Sequence, residues 1–132
     1  MRKKSILSVA IILLLISIQS IAASTDEQAT SCEDTFDLKK MTTCAEKAYK
    51  TSNKQLEKQY KNVRKLLKSK SEKWLHKKAY KKWKTFRESY CHFATYAIRK
   101  EPGFSFHKHD CLDHVTKQYI EILEKYIEDL DV

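Results

Sequence analysis

The stretch KKWKTFRESYC, residues 81–91, carries four basic and three aromatic side chains and ends in a cysteine. Basic residues interleaved with aromatics can form a nucleic-acid grip, because every base offers a face for stacking. The spacing favours another reading. Trp83, Phe86 and Tyr90 recur at intervals of three and four, which places them on one side of an α-helix. Lys81, Lys82 and Lys84 then belong to the charged exterior. The same series continues in both directions through Leu75, Ala79, Phe93 and Ala97. The stretch is therefore the middle of a long amphipathic helix, with its aromatics expected on the inward stripe.

Working outward, two more stripes appear. Met41, Ala45, Ala48, Leu56, Tyr60, Val63 and Leu67 form one, with Ser52 in step. Leu112, Val115, Tyr119, Ile122, Tyr126 and Leu130 form another, widened by Leu123 and Ile127. Helices are expected over about 38–68, 72–98 and 109–130, with Ser71 and Asp110 placed to cap the second and third. Pro102 and Gly103 are the chain's only proline and glycine, too few turn residues for a fold of short strands. Short connections make sequential helices antiparallel. The fold class is all-α, an elongated antiparallel three-helix bundle over residues 38–132.

The N-terminus has a different character. A basic MRKK precedes an apolar run, Ile6 to Ile18, and small residues follow near Ala22 to Ser24. This is the layout of a secretory signal peptide over 1–23; the run is shorter than the roughly 20 residues that span a bilayer. A polar tail, 24–37, leads into the bundle. The exported chain carries 23 basic and 17 acidic residues and four cysteines, Cys32, Cys44, Cys91 and Cys111. An even count in a small exported domain points to two disulfides, and the count alone leaves three pairings open. The location expected is periplasmic or secreted.

Charge is uneven along the bundle. From Lys58 to Arg87 there are 13 basic residues and one acid, Glu72, and these gather where the first two helices meet. The acidic end of the third helix, Glu121 to Asp131, should lie nearby and offset part of the excess. Such a tip is a solvated face or a docking surface for an anionic envelope polymer, lipid or acidic protein. Lys77, Lys78, Lys81 and Lys82 are its candidate contacts. Nucleic acid is disfavoured, because the aromatics are committed to the inward stripe and exported proteins seldom meet it.

Catalysis is poorly supported. With all cysteines paired there is no thiolate nucleophile. The chain has no Gly-x-Ser-x-Gly elbow, His-Glu-x-x-His pair or glycine-rich phosphate loop. HKHDCLDH, residues 107–114, gathers His107, His109, Asp110, Cys111 and His114. Zinc favours such ligands, but an oxidised Cys111 and the lack of a second cluster argue against a metal centre. Neither cofactor nor metal is expected, and the chain reads as a non-enzyme.

Several motifs in order resemble the lysozyme inhibitor LprI-like family of small exported proteins. WKTFRESYC supplies a tryptophan, an aromatic-Arg-acid triplet and a cysteine: Trp83, Phe86, Arg87, Glu88 and Cys91. Upstream, Met41, Cys44, Leu56 and Tyr60 fit the family's first-helix pattern, with Asn53 replacing its usual Asp and Glu57 its usual Asn. Downstream, Cys111, Thr116 and Leu123 fit, while Tyr119 stands where the family commonly has Arg. The resemblance implies pairing of Cys32 with Cys44 and of Cys91 with Cys111. It also implies a protein that blocks a peptidoglycan hydrolase; for such a protein the loop from Lys100 to His109 is the expected plug. Phe104 and Phe106, as exposed aromatics, and His107 and His109 are that loop's candidate contacts. Two other functions stay open: a cationic module holding anionic polymer or lipid, and an immunity-type partner of another secreted protein.

Overall fold

The computed structural model describes Cys32 and residues 36–130. The signal peptide expected over 1–23 and most of the 24–37 tail lie outside the described residues. Three long helices carry the fold: α1 (Leu38–Leu66), α2 (Lys70–Ala94) and α3 (Phe104–Leu130), with a 3-10 turn at Tyr96–Ile98. At 29, 25 and 27 residues they run roughly 38 to 44 Å. Both disulfides, Cys32–Cys44 and Cys91–Cys111, are formed. The second fastens α2 to α3.

Local chemistry sets the helix ends. Asp37 opens α1, its carboxylate accepting from the Lys39 and Lys40 amides at 2.9 and 3.3 Å. Arg64 and Lys65 close it, cations set against the negative end of the helix dipole. Leu67 then turns extended, and α2 begins on a capping box. The Glu72 amide donates to Ser69 Oγ at 3.1 Å, and the Ser69 amide donates to Glu72 Oε2 at 2.7 Å. Those bonds hold the Glu72 carboxyl below its ordinary range, the Ser69 amide being the largest cause. The cap is thus Ser69, two residues before the serine expected from sequence. Ser69→Ala should lower stability by about 1 kcal/mol, read as a shifted urea midpoint with an unchanged slope.

The other difference is larger. Phe104 to His109, expected in a connecting loop, are the opening of α3. Asp110 lies inside that helix and caps nothing. Pro102 and Gly103 end the connection instead, and the His107 amide already donates to the Gly103 carbonyl at 3.1 Å.

α2 runs antiparallel to α1 and α3, which lie parallel and pack most extensively on each other. The buried positions of α1, Ala45, Ser52, Leu56 and Val63, step by seven and four. Two of them are small, which lets α3 approach closely. One core cluster joins Leu56, Val63, Leu67, Tyr80, Ile120 and Leu123; a second joins Cys91, Leu112 and Val115. Trp83 packs against both.

The faces of α2 and α3 are rotated from the expected stripes. In α2 the buried residues are Tyr80, Arg87 and Cys91. Trp83 is half-buried, whereas Leu75, Phe86, Tyr90 and Phe93 are exposed. In α3, Leu112, Val115 and Leu123 point inward as expected, joined by Phe106, Thr116 and Ile120, while Ile122, Tyr126 and Leu130 are exposed. The cause is the cross-link. Cys91 must face α3, and the residues four and eleven before it, Arg87 and Tyr80, share its side of the helix.

Candidate functional site

Among the described residues, the polar centre of the molecule is Arg87, only 4% exposed and surrounded by all three helices. Its Nη1 donates to Asn53 Oδ1 on α1 and to Thr116 Oγ1 on α3, both at 3.0 Å. Its Nη2 donates to Glu88 Oε1 at 3.1 Å. The guanidinium carbon lies 5.0 Å from the Trp83 ring centre and 5.2 Å from that of Tyr49. Arginine suits this place because its planar fork donates in several directions while its faces stack on aromatic rings. Thr116, fully buried, donates its own hydroxyl hydrogen bond to the Leu112 carbonyl at 2.6 Å.

An aromatic ladder runs from Arg87 toward the α1–α2 turn. Trp83 stacks on Tyr119 with ring centres 4.2 Å apart, Tyr80 on Tyr60 at 4.3 Å, and Tyr60 on His76 at 4.5 Å. Tyr80 donates its phenol proton to Glu57 at 2.7 Å. Burial first, and then the Glu57 carboxylate, raise the Tyr80 phenol well above its ordinary value. Burial also raises Tyr49 and Tyr119. A raised folded-state pKa gives stability that is fully present below the unfolded value and is lost as pH rises through the folded one. The bundle should therefore lose stability above about pH 10, the unfolded tyrosine value, and not in the neutral range. Thermal melts from neutral pH upward, with tyrosinate absorbance followed in parallel, check this. Tyr80→Phe should flatten part of the alkaline slope.

The signature positions divide by exposure. Leu56, Arg87, Thr116 and Leu123 are buried, and Met41, Tyr60 and Trp83 half-buried. Phe86 and Glu88 face solvent. Most of the set thus builds the scaffold. Sequence reasoning missed the meeting of Arg87, Asn53, Thr116 and Tyr49, although Arg87 lies one turn before Cys91 and so shares its inward side.

The candidate contact residues scatter. Lys77, Lys78, Lys81 and Lys82 are exposed; Lys78 Nζ sits 4.7 Å over the Trp74 ring. Lys84, expected on the exterior, is half-buried with Nζ 4.8 Å over Tyr80. Phe106 is 3% exposed and Phe104 half-buried, so the exposed aromatic plug expected at 100–109 is corrected: those rings help seat α3. His107 is exposed; His109 Nδ1 bonds to the Ser105 carbonyl at 2.8 Å; His114 Nε2 lies 3.2 Å from the Gln118 amide. Cys111 is in a disulfide, and among the described residues these groups do not gather around one point.

The outer surface has two further features. Leu66, Trp74 and Leu75 are exposed where α1 turns into α2. A groove of about 350 Å³ opens beside them between α2 and α3, lined by Leu75, His76, Ala79, Ile122 and Tyr126 among others. Gln59 donates to Glu124 at 2.8 Å across the base of this end, so the acidic end of α3 does lie near the basic turn. Among the described residues, no lysine of α2 is within ion-pair distance of an acid, and no helix is long and apolar enough to cross a membrane.

Residues 26–123 match the family model described as Lysozyme inhibitor LprI. Comparison with curated proteins finds no match, and comparison with solved structures finds none either.

Proposed function

The chain belongs to the lysozyme inhibitor LprI family, and on that premise we propose that it is an exported, non-enzymatic protein that binds a peptidoglycan hydrolase and blocks its cleft. The family match over residues 26–123, which takes in α1, α2 and most of α3, is the observation that carries this reading. The buried state of Arg87, Thr116 and Leu123 favours a scaffold role for those three and a contact made by surface residues.

The α1–α2 turn is the part best suited to enter a cleft. It lies at one end of the bundle, presents Leu66, Trp74 and Leu75, and is ringed by Lys65, Lys68 and Lys70. An exposed Trp beside basic residues has the composition of an interface anchor, and a lysine here can reach acidic groups within a cleft. A cationic lysozyme would be slowed in its approach by the same lysines. Association should then be faster at higher salt, the reverse of an attractive pair. The test is titration of the exported chain into lysozymes of several classes at low and high salt. Inhibition of at least one class, weakened by Trp74→Ala, is expected; no inhibition in any class at micromolar excess would discard the proposal.

A further inference from the structure

The inward stripe read from the sequence of α2 exists as an apolar stripe, but the fold leaves it uncovered. Phe86 is 57% exposed and Phe93 77%, with Leu75 and Tyr90 also in solvent. At helical spacing Leu75, Ala79, Phe86, Tyr90 and Phe93 lie on one line, about 27 Å long. Phe86 and Tyr90 stack on each other, ring centres 5.7 Å apart, so the rings form a ridge. At its α1–α2 end the line runs into the groove that Leu75, Ala79, Ile122 and Tyr126 help to line. Lys78 and Lys82 fall beside the line, and neither is ion-paired among the described residues.

We propose that this exposed aromatic face of α2 docks the protein, lying flat, on the surface of an anionic lipid bilayer. An apolar helical face carrying aromatics and edged by lysines is what partitions into the boundary between headgroups and acyl chains. The rings enter the boundary while the lysines stay with the anionic headgroups. Tyrosine suits that depth because one end of its ring is apolar and the other polar. A straight line along one rigid helix matches a plane better than a cleft. Charge argues against a second copy of the chain as the occupant: two such faces would gather four lysines, Lys78 and Lys82 of each copy, along one interface with no acid paired to them among the described residues, and like charges there are costly. Hydrolase inhibition uses the turn at Leu66 and Trp74; the two surfaces meet only at Leu75, and the docking proposal rests on Phe86, Tyr90 and Phe93 beyond it.

The experiment is flotation of the exported chain with phosphatidylcholine vesicles, with and without phosphatidylglycerol, at several salt concentrations. Flotation is expected only with the anionic vesicles, and it should weaken as salt rises. Lys78→Gln with Lys82→Gln should weaken it about 30-fold, from the contribution of each basic residue near an anionic leaflet. Phe86→Ser with Phe93→Ser should weaken it about tenfold or more, with the thermal melt unchanged because both rings lie outside the core. Equal flotation with neutral vesicles, or full affinity in the double phenylalanine variant, would overturn the proposal. So would a concentration-dependent dimer in sedimentation that the phenylalanine substitutions abolish.

Discussion

Arg87→Ala should destabilise the bundle by about 3 kcal/mol or more, a large share of the roughly 5 to 15 kcal/mol that holds a domain of this size folded. The substitution removes the donor bridging Asn53 of α1 and Thr116 of α3, and a buried acceptor left without its donor costs about 1 to 3 kcal/mol. It also empties the space between Tyr49 and Trp83, and a cavity adds to the loss. Arg87→Lys keeps the charge but not the fork, and should fall between. Glu88→Ala is the contrast. That carboxylate is half-exposed, so its ion pair with Arg87 should be worth no more than about 1 kcal/mol. Urea unfolding of the three variants checks the order; an Arg87→Ala protein as stable as Glu88→Ala would show that the buried network contributes little.

Replacing Cys91 and Cys111 by alanine should cost about 3 kcal/mol, the loop-closure value for a separation of 20 residues. The cost falls on the docking of α2 against α3, because Cys91 is fully buried beside Leu112 and Val115. Cys32–Cys44 closes a similar ring, with a separation of 12, but joins no two helices of the bundle. Its removal should free the segment before α1 and leave the unfolding midpoint closer to that of the parent. Denaturant curves of the two double alanine variants, beside the parent with and without reductant, distinguish the cross-link that shapes the bundle from the one that tethers its end.

The helix count, the all-α class and the antiparallel order were legible because periodicity and the scarcity of glycine and proline both pointed one way. The facing of α2 was not. A hydrophobic series locates an apolar stripe but says nothing about what covers it, and α2 carries two competing sides. One holds Phe86, Tyr90 and Phe93; the other holds Tyr80, Arg87 and Cys91. Hydropathy favours the first, and the cross-link to α3 selects the second. The start of α3 was hidden for a related reason. The histidines and lysine of FSFHKH look like a solvated link, yet Phe106 reaches the core from the first turn. As for the candidate site, the sequence located the signature residues but not their meeting, since Asn53 and Thr116 are 34 and 29 residues from Arg87.

The close seam between α1 and α3 bears on the order in which the chain assembles. Gln59 and Glu124, which meet across that seam, are 65 residues apart, and contacts of such separation slow folding because a long loop must close before they form. α1 therefore spends the early part of folding without its principal partner. Oxidation of Cys91 and Cys111 shortens the search by holding α3 folded back on α2 before α1 docks. The cross-link should thus act on the rate of assembly as well as on the finished bundle, and a chain whose Cys91 and Cys111 are already oxidised has its slowest contacts prepared in advance.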